Sequence, residues 1–140
     1  MTVDSIMSRK VITVKMDDSL HTICDIFKRF GFHHTLIVES RNLVVGVISD
    51  RDLLGAISPF LNTLSEKTCD TNTLNMKAHH IMGLVIVTIN TEDSIETTTS
   101  LLLRNNISCL PVLSPQGVVE GIVTWKDIVN FHLKNKTVTV

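Results

Sequence analysis

Two acids, Asp52 and Asp127, each follow a hydroxyl by three positions: Ser49 precedes the first and Thr124 the second. This spacing marks a helix start, where the hydroxyl caps backbone N–H groups and the acid reaches back to the cap. An apolar run that opens on glycine leads into each copy, Gly46-Val47-Ile48 and Gly121-Ile122-Val123, and has the composition of a buried strand. Each copy therefore reads as a strand running directly into a helix N-terminus. Unpaired N–H groups and the positive end of the helix dipole suit that junction to an anion. Arg51 and Lys126 occupy matching places inside the motif and can meet phosphates. As plain caps the two motifs would be worth about 1 kcal/mol each. Their duplication in matching surroundings favours ligand use of at least one of the acids.

The surroundings match because the chain repeats itself. At a constant offset of 75 and without a gap, Ile6-Met7 overlays Ile81-Met82, Asp18-Ser19 overlays Asp93-Ser94, and Arg29 overlays Arg104. Gly46 falls on Gly121, and apolar Val14, Leu20, Ile37 and Ile48 fall on Ile89, Ile95, Val112 and Val123. One register held over this span is a duplicated unit of roughly 55 residues. Each unit predicts a short N-terminal helical piece ending near Met7 or Met82, then a strand over residues 11–14 or 85–89. A helix capped by Asp18 or Ser19 follows over 20–30, with Leu20, Ile23, Phe27 and Phe30 at helical spacing. Its second copy carries Leu101, Leu102 and Leu103 in succession and is expected to be buried on two sides. A hairpin comes next, 34–38 with 43–48, and 109–113 with 118–123, turning at 40–42 and at 114–117. Closing helices span 50–57 and 125–133. The predicted fold class is α/β (α+β), strand-helix-strand-strand-helix twice: repeat 1 over 1–58, a linker over 59–75, repeat 2 over 76–133 and a tail over 134–140. The polar centre of the linker, 65–73, reads as a loop, and the tail as a frayed end or a partner-binding strand.

At this order of elements the chain resembles a cystathionine-β-synthase (CBS) domain pair, or Bateman module. The resemblance rests on the two glycine-apolar-apolar-hydroxyl-x-x-Asp motifs, on Ile6-Met7 and Ile81-Met82, and on Ile107-Ser108-Cys109-Leu110-Pro111-Val112 before the second hairpin. It covers nearly the whole chain and is greatest with small stand-alone bacterial CBS-pair proteins. It implies two repeats related by a pseudo-two-fold axis, with clefts that take an adenosine-containing ligand: AMP, ADP, ATP, S-adenosylmethionine or NAD. Carried over residue by residue, it implies that Asp52 and Asp127 hold ribose hydroxyls, with Ser49 and Thr124 beside ribose or phosphate. Phe32, His33 and His34, and Ile107 and Ser108, would line base and phosphate. Backbone groups near Ile12-Thr13 and Val87-Thr88 would meet the adenine. A carboxylate can accept from both cis hydroxyls of a ribose, in charge-assisted hydrogen bonds. Leu36 stands where the family has proline, which Pro111 retains.

Composition narrows the function. The chain has 140 residues, 44% of them hydrophobic and 19% charged, with a net charge of −1. No electrostatic footprint for nucleic acid or an anionic membrane follows from that balance. The apolar surplus points to an oligomer interface, and a homodimer through Leu53, Leu54, Ile57, Ile128, Val129 and the 95–103 helix is expected. Cys24, Cys69 and Cys109 lack metal-ligand spacing and read as reduced, mostly core thiols of a cytoplasmic protein. The N-terminus has no basic and apolar leader, and no apolar run reaches the ~18 residues of a membrane span. His33-His34 and His79-His80 do not chelate one ion as strand neighbours, which point to opposite faces, so no metal is expected. No nucleophile elbow, phosphate loop or dinucleotide glycine pattern is present, and the reading is not an enzyme. The expected function is a regulatory sensor with no obligatory cofactor, reporting an adenine nucleotide or S-adenosylmethionine to an unknown regulated protein. The alternative is a ligand-free dimerisation or protein-interaction scaffold.

Overall fold

The computed structural model describes residues 1–41, 43–57, 64, 66–67, 72–85 and 87–135. Most of the expected linker, Asn42 of the first turn, Cys69 and the tail beyond Asn135 lie outside the described residues. The chain divides into two compact units, one continuous over Ile12–Val85 and one split, Met1–Val11 with Ile86–Val140.

In the continuous unit the elements are β1 (Thr13–Lys15), α1 (Leu20–Phe30), β2 (His34–Val38), β3 (Val44–Ser49), α2 (Asp50–Ala56), α3 (Ala78–Ile81) and β4 (Gly83–Leu84). The sheet order is β1-β2-β3-β4, with β1 parallel to β2 and the other neighbours antiparallel. Helix α1 starts where Ser19 Oγ accepts the Thr22 N–H. It stops where Gly31 enters the left-handed region at φ +68°, a conformation glycine adopts without a Cβ penalty. Leu20 and Ile23 then face Val14, Ile37, Ile48, Leu53 and Ala78 in one core. Each of the valine, leucine and isoleucine side chains contributes about 1.5–3 kcal/mol by leaving water.

The split unit holds α4 (Ile95–Asn105), β5 (Cys109–Leu113), β6 (Val119–Thr124) and α5 (Trp125–Lys134), with a 3-10 turn over Val3–Ser5. Ser94 caps α4 through the Thr97 N–H, and Asn106 ends it at φ +51°, the place Gly31 holds in the other unit. The β5–β6 hairpin is antiparallel, and Val3, Leu102, Leu110, Val112, Val123 and Ile128 form the core.

The units do not follow the repeats, because each contains the N-terminal segment of the opposite copy. The Val3 N–H donates to Asp93 O at 2.9 Å, and the Ala78 N–H donates to Asp18 O at 2.8 Å. Asp4 N reaches Thr91 O, as His79 N reaches Met16 O. Ser8 bridges Ile122, as β4 pairs with β3 through Gly83 and Val47. The motif glycines sit under these crossings. A Cβ on Gly121 would lie 2.7 Å from the Ser8 carbonyl oxygen, and one on Gly46 would lie 2.5 Å from Met82 Sδ.

Three expectations are corrected. Among the described residues of 85–89, the expected strand reduces to a single parallel bridge between Ile89 and Val112, and the run straddles the unit boundary. The leucine run of α4 is not buried on two sides within its unit: Leu102 is fully buried, but Leu103 is 67% exposed. Consecutive helix residues point about 100° apart, so three in a row cannot share one face. Leu53 and Ile128 belong to the cores of their own units and are withdrawn from any dimer face, whereas Leu54 and Val129 are exposed.

Candidate functional site

In the continuous unit the strand-to-helix junction is a reciprocal cap. Ser49, the last residue of β3, accepts the Asp52 N–H through Oγ at 3.0 Å, and Asp52 Oδ2 accepts the Ser49 N–H at 2.9 Å. Asp52 is exposed, and its Oδ1 makes no hydrogen bond to another described residue. The entry to β2 is tied to the same junction, because the Asp50 N–H donates to His33 O at 2.9 Å. The side chains meet as well: His33 Nδ1 lies 2.9 Å from Asp50 Oδ2. That hydrogen bond is the main reason the Asp50 carboxyl titrates below its usual range. Burial pushes the neighbouring His34 imidazole down, outweighing the opposite pull of Asp50 and Asp52.

The remaining candidates of this unit lie on β1, at the entry to β2 and on α2. Thr35, 1% exposed, donates its hydroxyl to Ile12 O at 2.8 Å and anchors the start of β1 on β2. Thr13 follows it, exposed and opposite Leu36. Phe32 stacks on Phe30 with ring centroids 5.7 Å apart. Arg51 is exposed in the first turn of α2.

The split unit repeats the frame and changes the side chains. The Thr124 N–H donates to Asp127 Oδ2 at 2.9 Å, and the Thr124 hydroxyl donates to the same oxygen at 3.3 Å. Here the hydroxyl also reaches the acid within a capping box, and Oδ1 again makes no hydrogen bond to a described residue. The Trp125 N–H reaches Ser108 O at 3.4 Å, the counterpart of the Asp50–His33 bond. Trp125, Ile107 and Val87 pack against the core, while Lys126 is exposed. Thr88 lines a hollow of about 480 Å³ with Asn90, Glu92, Ser114 and Pro115 among others.

Two contributors escaped the sequence reading. Asp50 immediately follows Ser49, but its pairing with His33 spans 17 positions and becomes visible only when β2 and α2 meet. Thr35 carries a signal, a hydroxyl directly before the apolar run Leu36-Ile37-Val38, which calls for a buried partner.

The family model for the CBS domain matches residues 3–59 and 78–134. A CBS domain-containing protein of Dictyostelium discoideum is 29% identical over 133 residues, covering 94% of this chain and 91% of that protein. The chain spans only 23% and 24% of the length of two further curated relatives. Among solved structures, a CBS domain pair in complex with 5′-methylthioadenosine and S-adenosyl-L-methionine superposes with a TM-score of 0.80 at 23% identity, covering 97% of this chain and 98% of that one. The protein CBSX2 in complex with AMP superposes with a TM-score of 0.76, also at 23% identity and with the same coverages.

Proposed function

Starting from the fact that this chain belongs to the CBS-domain family, we propose that it is a regulatory module, not an enzyme, that binds an adenosine-containing ligand through Asp52 and Asp127. One observation carries the reading: each acid is held at its helix start through Oδ2, while its Oδ1 makes no hydrogen bond to another described residue. A carboxylate so fixed can accept from vicinal ribose hydroxyls without losing conformational freedom on binding. The adenosyl ligands of the two structural neighbours support the same chemistry. A ligand that favours one arrangement of the chain would shift its population, and a partner protein would read that shift. A homodimer is part of the reading: Leu103, Val129 and Leu133 on α4 and α5 are 67%, 53% and 65% exposed, a surplus suited to a second copy.

The test is thermal unfolding of the purified chain against AMP, ADP, ATP, NAD, S-adenosylmethionine and GMP. A ligand at 100 times its Kd stabilises by about 2.7 kcal/mol, a shift of several degrees. The expected result is a shift with adenine ligands and not GMP, abolished by Asp52→Ala or Asp127→Ala. No shift with any ligand would favour the scaffold reading, which the capping role of both acids already accommodates.

A further inference from the structure

Helix α5 ends beside a hollow in the split unit. Met1, Ile95, Leu103 and Phe131 give this hollow, of about 570 Å³, a mainly apolar lining. Asn135, one turn past Phe131, donates its backbone N–H and its Nδ2 to Phe131 O, at 3.0 and 2.8 Å, and ends the helix there. The chain therefore leaves α5 at the rim of the hollow. We propose that the segment that follows, Lys136-Thr137-Val138-Thr139-Val140, docks as an extended strand in this hollow of its own chain, with Val138 and Val140 against the apolar lining.

Length, pattern and charge fit. The hollow follows α4 from Ile95 to Leu103, a distance of about 12 Å on a helix. Five extended residues reach about 17 Å, enough to cover it from Asn135. Thr137, Val138, Thr139 and Val140 are all β-branched, a composition that favours extended backbone. Alternate side chains of a strand face opposite ways, so the two valines share one side and the two threonines the other. An extended chain laid on an apolar wall must still satisfy its backbone. Ser100 and His132 line the same hollow, and among the described residues neither side chain makes a hydrogen bond. Glu96, also on the wall, is exposed and forms no ion pair among the described residues, so it can take the charge of Lys136.

A second copy is the competing occupant. Val129 and Leu133 are exposed on α5, and each lies about 200° around the helix from Phe131. Tail docking therefore covers Leu103 and leaves Val129 and Leu133 to a second copy. It does not depend on ligand binding at Asp52 or Asp127.

Proton–proton Overhauser contacts in the full chain test the proposal. Contacts are expected from the Val138 and Val140 methyls to the Phe131 ring and the Leu103 methyls, with the valine methyls shifted upfield by the ring current. Both signs should be lost in Val138→Ser/Val140→Ser and weakened in Leu103→Ser, changes that lie outside the core of the unit. Tail resonances at the positions of a free Lys136–Val140 peptide, unmoved between the chain and either variant, overturn the proposal. A sample mixed from two differently labelled chains separates the occupants. Contacts to Phe131 that arise only between chains, from the tail or from α4 and α5 of a second copy, overturn docking of the chain's own tail.

Discussion

The continuous and split units share a backbone frame and differ in what hangs on it. In both, the helix cap, the bond from helix start to strand entry and the crossing N-terminal segment recur at the same offset. Among the described residues, one unit builds a four-stranded sheet, whereas the other pairs two strands and adds single bridges. One places a histidine–carboxylate hydrogen bond at the strand entry, the other an indole packed on the core. Duplication here has kept the hydrogen bonds that the fold cannot lose and has freed the side chains between them. The two caps are therefore one scaffold carrying two chemistries.

The difference is open to experiment, beginning with the cores. Ile23 and Thr98 hold the same place on α1 and α4, and both are fully buried. Ile23→Ala removes only apolar volume and should cost about 2–5 kcal/mol in denaturant unfolding. Thr98→Ala, whose hydroxyl bonds its own helix at Ser94 O, should cost nearer about 1 kcal/mol. Equal losses would contradict the division of the cores. The glycine crossings come next. Gly121→Ala meets a backbone oxygen, and Gly46→Ala meets first the end of a methionine side chain. Overpacking at Gly121 should therefore destabilise by about 1–3 kcal/mol, and the loss at Gly46 should be smaller. Reversal of that order would show the two crossings to be unlike.

Asp52→Ala and Asp127→Ala should each lose about 0.5–2 kcal/mol as caps. Only the variant at a working site should also lose a ligand-induced rise in Tm, which separates capping from binding. The smallest effect is that of pH on the free protein. His34 has its pKa lowered in the folded state, so the unfolded chain binds more protons near pH 6. Stability should fall as pH drops through the ordinary histidine range, and His34→Gln should flatten that fall. Stability that rises on acidification in this window would contradict the burial of His34. Asp50 acts lower on the scale: its depressed carboxyl supports the fold above the ordinary carboxylate range and loses that support only as strong acid protonates it.

The helices and hairpins were legible in the sequence because local signals mark them. Ser19 and Ser94 cap, Gly31 and Asn106 stop, and the apolar spacing of Leu20 and Ile23 points inward. The exchange of N-terminal segments was not legible. Val3 and Ala78 stand at the same place in their repeats, and nothing in either segment says which copy it packs on. Of the candidate site residues, Ser49 with Asp52 and Thr124 with Asp127 were legible because their contacts are three residues long. His33 with Asp50 was not, because a strand entry and a helix start must first be brought together. Residues 85–89 misled for a related reason: their β-branched composition suits a strand, but the chain leaves one unit for the other inside that run.

The crossed segments carry a consequence for the history of the chain. A gene encoding one repeat would yield a polypeptide whose opening segment has no place on its own sheet. Two such polypeptides could each lend that segment to the other, and joining them end to end would produce the connectivity found here. Fusion would then have converted an exchange between molecules into one within a molecule, with Gly46 and Gly121 as its surviving sockets. Cutting the chain at the repeat boundary should yield halves that fold only when mixed.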